Sequence, residues 1–329
     1  MKQLVLGGGA ARLEEVPRPE AEPGWAVIRA MVLPICGSDR GAFLDAGEHR
    51  YAGHEGTGVV DEVTPGSRFE PGDRVVIAPQ AGCGCCRLCR SGEWIYCGNR
   101  PEFTGHFREY VKKQEWILPR LPEDISLEVG SLAGCALCPA FSALEIARVT
   151  PSDTVLVTGL GPVGLGAVAV ASLRGARVLA VEPQAYRRDL AMQLGADEVT
   201  DPAQEDALEW ARELTDGQGP SCAVECSGGT EPLRLCIDAA ATLGRVAIVG
   251  ENHGPVEMGP SEDFIRKGLT VFGTWFGNWL NYAGVFDVIR RKPDVAKIIT
   301  HTFAFERAQE AFQTFFSGEA GKVLLTPGG

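Results

Sequence analysis

Cys36-Gly37-Ser38-Asp39 and Gly53-His54-Glu55 each set a metal-binding side chain, a thiol or an imidazole, beside a glycine that lets backbone pass close. Zinc takes both ligand types. Read alone, the pair has a second account, as a packed core cysteine and a satisfied core histidine. A denser cluster follows at Cys83, Cys86, Cys89 and Cys97, with two, two and seven residues between successive members. A loop of that spacing can wrap a tetrahedral ion, and four thiolates leave no position open to water, the mark of a structural zinc site. Such a site holds a lobe that has little core of its own. An iron–sulfur cluster or an unmetallated redox thiol set is the alternative. Cys85 falls outside the regular spacing, although it could substitute as a ligand.

The third chemical signal is Gly159-Leu160-Gly161-Pro162-Val163-Gly164, directly after the β-branched run Thr154 to Thr158. Gly159 permits a tight turn, Gly161 lets a pyrophosphate approach a helix N-terminus, and Gly164 lets helix and sheet pack closely. A small-residue helix pattern runs to Arg174, a second strand covers Arg177 to Val181, and Glu182 closes it. Strand, glycine turn, helix, strand and acid is the order of a dinucleotide-binding unit. Glu182 stands 23 positions after Gly159, where a carboxylate accepts from ribose hydroxyls and repels a 2′-phosphate, so NAD is favoured over NADP. Arg187 and Arg188 follow at the start of a helix, as ribose-side contacts, phosphate contacts or solvated charges.

These groups need elements to hold them. Short β-rich runs at Trp25 to Val32, Thr57 to Val63 and Asp73 to Ala78 are separated by Pro-Gly turns, and strand-like segments recur around Phe107 to Val111 and Trp116 to Leu118. The first part therefore reads as a compact β domain with Cys36 and His54 on loops or strand ends. After Thr154 the pattern alternates: helices near Glu205 to Leu214 and Glu231 to Ala241, strands at Cys222 to Glu225, Arg245 to Val249 and Leu269 to Gly273. Alternation of this kind is a doubly wound parallel sheet, an α/β fold. Cys222, Cys226 and Cys236 lack metal spacing and read as core. Two helical stretches and a last strand, Lys322 to Leu325, return to the first domain.

The chain has 329 residues, 45% hydrophobic and 22% charged, with a formal net charge of −12. That charge disfavours nucleic acid or an anionic membrane as partner and suits a small-molecule substrate. The longest small-apolar run, Val163 to Leu173, is shorter than the ~20 residues that span a bilayer. Without a signal-peptide pattern the expected location is cytoplasmic, where eleven cysteines stay reduced.

The assembled motifs resemble the zinc-dependent medium-chain alcohol dehydrogenases along nearly the whole chain: Cys36-Gly37-Ser38-Asp39, Gly53-His54-Glu55-x-x-Gly58, Gly72-Asp73-Arg74-Val75, the four-cysteine lobe and the glycine fingerprint. The resemblance implies a GroES-like catalytic domain over 1–137 and 276–329, carrying the structural-zinc lobe at about 83–97, and a Rossmann NAD-binding domain over 138–275, with the active site between them. It implies two zinc ions per chain. Cys36, His54 and Cys135 become the catalytic ligands, Cys138 a neighbour, Glu55 a near-zinc carboxylate and Ser38 the hydroxyl of the proton relay; by residue pattern alone, Cys135 and Cys138 equally suit simple packing. Three ligands leave a position open, which suits removal of a hydroxyl proton ahead of hydride transfer to nicotinamide.

The resemblance further implies a homodimer or homotetramer. The expected activity is reversible oxidation of a secondary alcohol, polyol or sugar-derived hydroxyl. A primary-alcohol or aldehyde dehydrogenase, and a catalytically silent nucleotide-binding or structural member, are the alternatives. Gly41 stands where many relatives carry a relay histidine, which leaves His49 as a replacement only if its loop folds back. Thr64 replaces a usual glycine. Arg40, His49 and Arg50 hint at a polar or anionic substrate, or form a solvated face.

Overall fold

Runs of β-branched and aliphatic residues broken by glycine and proline become strands. The structure is a computed structural model that describes residues 1–251 and 254–328. It contains two units, one of Met1–Cys135, Asn278–Arg290 and Ile299–Gly329, the other of Ala136–Gly277 and Arg291–Ile298.

In the first unit, β1 (Lys2–Gly7) and β2 (Ala10–Glu15) form a hairpin whose turn, Gly8-Gly9, has positive φ at both residues. The long strand β3 (Trp25–Ile35) is buried along most of its length and ends at Cys36. Helix α1 (Asp39–Leu44) follows at once, then β4 (Thr57–Glu62), β5 (Arg74–Val76), the short α2 (Arg87–Arg90), β6 (Tyr110–Gln114) and α3 (Leu127–Ser131). The expected strand at Trp116 to Leu118 is instead largely a 3₁₀ turn, Glu115–Ile117.

The second unit starts with α4 (Cys138–Ile146), which sequence patterning does not reveal, because Cys138 to Leu144 are nearly all apolar, and mostly buried, and give no clear 3.6-residue stripe. There follow β7 (Thr154–Thr158), α5 (Pro162–Leu173), β8 (Arg177–Val181), α6 (Ala185–Leu194), β9 (Glu198–Thr200), α7 (Ala207–Glu213), β10 (Cys222–Glu225), α8 (Thr230–Ala239), β11 (Arg245–Ile248) and β12 (Thr270–Gly273). All six strands are parallel in the order β12-β11-β10-β7-β8-β9. Leu156, Leu179, Ala223 and Val246 pack with α7 and α8, while the alternate residues Val155, Val178 and Val224 are also fully buried. Burial on both faces is why these strands read as continuous apolar runs.

The chain then returns to the first unit through α9 (Asn281–Arg291), β13 (Ile299–Ala304), α10 (Ala308–Phe316) and β14 (Lys322–Thr326). The strand order there is β13-β14-β3-β4-β5, with β6 also on β3. One boundary differs from the sequence reading of 276–329 as a single first-domain segment. Residues 291–298 belong to the second unit, because Val295 and Ile298 in the turn Pro293–Ile298 are fully buried against α5 and α6. Ala136, Leu137, Phe276 and Gly277 also fall in the second unit. Among the described residues, no single helix is long and apolar enough to cross a membrane.

The first unit's core is aromatic where it matters for chemistry. Phe312 on α10 stacks on Phe43 of α1 at 5.1 Å and meets Phe107 edge-on at 5.6 Å. Phe43 anchors the helix that begins at Ser38, and the Phe107 ring fills the space a side chain at Gly53 would need. One ring therefore supports both ligand loops. Phe312→Ala is expected to lower the unfolding free energy by about 3–5 kcal/mol, read as a lower denaturant midpoint with unchanged m. An unshifted midpoint would show that this contact is not structural.

Candidate metal centres and cofactor site

Strand β3 delivers Cys36, the loop before β4 delivers His54 and Glu55, and the turn after α3 delivers Cys135. One ligand atom from each lies within 4.8 Å of all the others. The Cys36 and Cys135 sulfurs are 3.8 Å apart, close to the ~3.8 Å edge of a tetrahedron with ~2.3 Å zinc–sulfur bonds. Close approach has a local cause: a Cβ on Gly134 would lie 3.1 Å from the Glu55 Cβ.

The surroundings favour a cation. The Cys36 thiol is held well below its ordinary range by the Cys135 thiol, with Lys322 and His54 adding to it. Burial pushes the Glu55 carboxyl up to about 7, against the opposing effect of Lys322. Glu55 is fully buried; Oε1 accepts from Lys322 Nζ at 2.6 Å, whereas Oε2 has no partner. An orphaned carboxylate oxygen beside two thiols and an imidazole is a donor set that fits zinc. Asp39 adds support: Oδ2 accepts from the Cys36 main-chain N–H at 2.8 Å, and Oδ1 lies 3.8 Å from His54 Nδ1.

Lys322 and Asp39 are the functional residues that motif reading misses. Lys322 arrives by register: Val323 pairs with Ile35, which sets Lys322 opposite Cys36 on the neighbouring strand. Nothing local to residue 322 signals this. Asp39 sits inside the quoted motif, but its orienting role shows only in three dimensions. Ser38 is exposed at the N-terminus of α1 and makes no capping bond. Cys138 lies outside the cluster, buried at the start of α4.

His49 does not fold back. Its main chain pairs with Leu6 on β1 and its ring bonds to Asp45 at 2.7 Å, which removes it as a relay candidate. Arg50 pairs with Glu14 and Glu48, and Arg40 covers the Phe316 ring. A Cβ at Gly41 would meet open space.

The second centre gathers Cys83, Cys86, Cys89 and Cys97. Sulfur separations of 3.9 Å for Cys83–Cys89 and for Cys86–Cys97 again match a zinc tetrahedron. Main-chain N–H groups of Cys86 and Cys89 point at the Cys83 and Cys86 sulfurs, the pattern that stabilises thiolates. Cys85 is exposed, and its thiol lies 3.6 Å from the Cys83 sulfur. Asn278, which bonds to Ser91 and Glu93, and Trp279, edge-on to Trp94 at 6.2 Å, brace the lobe.

In the second unit, Gly159 has φ +80° and its missing side chain is replaced by Ser227, while a Cβ at Gly164 would collide with the Gly159 carbonyl. Gly161, the N-cap of α5, has open space before it. Pro162 and Val163 form the first turn. The free N–H groups of that helix end and the gap before Gly161 fit a pyrophosphate. Glu182 accepts from the Leu160 N–H at 2.7 Å through Oε2 and from Gln184 through Oε1, leaving lone pairs for ribose. Arg188 is committed to the Glu182 and Pro183 carbonyls, and Arg187 is half-buried on α6. Glu225, unnoticed in sequence, caps the next loop through the Ser227 and Gly228 N–H groups.

Residues 22–123 match the alcohol dehydrogenase GroES-like domain and residues 162–291 match the zinc-binding dehydrogenase domain. An L-threonine 3-dehydrogenase of Pyrococcus horikoshii is 32% identical over 97% of this chain and 95% of its own. An alcohol dehydrogenase of Thermus sp. ATN1 superposes with a TM-score of 0.92 at 30% identity, covering 99% of both chains. A protein of E. coli CFT073 described as a short chain alcohol dehydrogenase, solved with NADH, has a TM-score of 0.89 at 25% identity over 99% of both. The chain belongs to the zinc-dependent medium-chain alcohol dehydrogenase family. It is an oxidoreductase of the zinc alcohol and threonine dehydrogenase type, with the GroES-like and Rossmann folds that its motifs imply.

Lys322→Met would take from the buried Glu55 its closest counter-charge, leaving only the His54 imidazole at 3.7 Å. Breaking a buried pair from one side costs about 3–5 kcal/mol, so a clear fall in the denaturant midpoint is expected. Wild-type stability in that variant would remove the pair from the account.

Proposed function

We propose that this chain oxidises a secondary hydroxyl of a small polar molecule to the carbonyl compound, reversibly and with NAD, using one catalytic and one structural zinc ion. The observation that carries the reading is the cluster of two buried thiols, Cys36 and Cys135, and the half-buried His54 imidazole beside the unpartnered Glu55 oxygen. When bound there, zinc supplies a Lewis acid that favours the deprotonated hydroxyl and, in reverse, polarises the carbonyl. The residues do the rest. Cys36, His54 and Cys135 hold the ion and leave a coordination position for substrate. Asp39 orients the Cys36 main chain and faces His54. Ser38 takes the hydroxyl proton and, being exposed, hands it to solvent without a histidine in between.

Gly161 and the N-terminus of α5 hold the pyrophosphate, and Glu182 holds the adenosine ribose and repels a 2′-phosphate. The name L-threonine 3-dehydrogenase, borne by the Pyrococcus relative, supports a hydroxyl on an internal carbon. Because Arg40, His49 and Arg50 are engaged elsewhere, recognition of an anionic substrate group through them is not part of the reading.

The test combines metal content with NAD reduction across L-threonine, secondary alcohols, polyols and primary alcohols. Two zinc ions per chain are expected, falling to one in Cys36→Ala with turnover lost and the fold kept. One zinc in the wild type with no turnover would sink the catalytic reading. Glu182→Gln keeps an acceptor for the Leu160 N–H but loses the charge, so NAD preference over NADP should narrow about tenfold, the worth of one charged hydrogen bond. An unchanged cofactor ratio would take Glu182 out of that role.

A further inference from the structure

Lys113 on β6 and His106 in the segment before it are 4% and 1% exposed, yet their side chains meet at 3.0 Å, Nζ to Nε2. Among the described residues no carboxylate lies within ion-pairing distance of Lys113. The Phe103 ring flanks both groups, 5.5 Å from Nζ and 5.4 Å from the imidazole. Burying two ionisable groups without a counter-charge is costly, and two apolar side chains would fill the space more cheaply. The pair therefore needs a reason beyond packing.

The reason lies in what His106 is attached to. Its main-chain N–H donates to the carbonyls of Ala52 and Gly53 at 3.0 and 2.9 Å, and the Phe107 N–H donates to Ala52 at 3.2 Å. Gly105 abuts the main chain of Tyr51 and Ala52 so closely that it admits no side chain, and the Phe107 ring presses on Gly53, whose φ is +76°. Residues 105–107 are thus the surface on which residues 51–53 are moulded. The next two residues are His54 and Glu55.

We propose that His106 and Lys113 are positioning residues of the catalytic metal centre. The amine–imidazole bond ties the 105–107 segment to β6, and that segment holds the loop that presents His54. A directional bond fixes the position of the segment more tightly than an apolar contact would. Outer-sphere supports of this kind are commonly worth 10–100-fold in metal affinity or activity. The inference rests on the metal reading made under Proposed function.

The test uses purified full-length protein. Lys113→Met removes the donor at similar volume, and Lys113→Gln restores an N–H. Metal content is followed under a mild chelator, and kcat and KM are measured alongside. The expected result is that Lys113→Met sheds one metal about tenfold faster than wild type while keeping the four-cysteine metal. It should lose more in kcat than in KM, with Lys113→Gln recovering part of both effects. Wild-type retention and turnover in Lys113→Met overturn the proposal. Loss of both metals together does so equally, because it marks general loosening. Should Lys113→Met not fold, His106→Asn is judged by the same outcomes. A wild-type chain holding one metal would overturn the metal reading and this inference together, whereas two metals with an indifferent Lys113→Met overturn this inference alone.

Discussion

The fully buried ion pair between Glu55 and Lys322 is the constraint on which the first unit depends. Two charges leave water only if each satisfies the other, and here the pair joins a loop early in the chain to the last strand. Lys322 keeps its proton: burial opposes the charge, but Glu55, Cys36 and Cys135 together raise it above the ordinary lysine value. Lys322 thus brings a positive charge into a pocket rich in thiols, balanced by Glu55, whose second oxygen has no hydrogen-bond partner. The aromatic core does the complementary work, holding in place the two loops that the ion pair and the ligands share.

Much of this was legible in the chain. The four-cysteine lobe and the glycine fingerprint are local: their chemistry is written in spacings of two to seven residues, and the fold has little freedom in how to use them. The ligand pair Cys36 and His54 is also visible as types beside glycines. What escapes is whatever depends on strand register. Lys322 looks like the polar first residue of a terminal strand, and only its pairing opposite Cys36 gives it a role. His106 and Lys113 belong to no motif or spacing, and a sequence pattern does not reveal which way a side chain turns at a strand entrance. The apolar helix α4 was hidden for the opposite reason, because uniform burial erases the periodicity that marks a helix.

The two thiol-rich centres show how the same element is put to two ends. In the lobe, four cysteines close on one another and the neighbours Trp94, Asn278 and Trp279 serve only to brace them. In the other centre the donor set is mixed, one carboxylate oxygen is uncommitted, and the exposed Ser38 lies two residues from Cys36. Four thiolates close a metal site, whereas a mixed set with an uncommitted carboxylate oxygen suits the open position that the proposed chemistry needs.

The register that brings Lys322 to Glu55 spans 267 positions of chain. A polypeptide emerging N-terminus first has made Cys36, His54, Glu55 and Cys135 long before β14 exists. Until that strand docks, Glu55 lacks its closest counter-charge and β3 has an open edge beside Cys36. Completion of this cluster therefore waits on β14, a strand made long after the residues it joins.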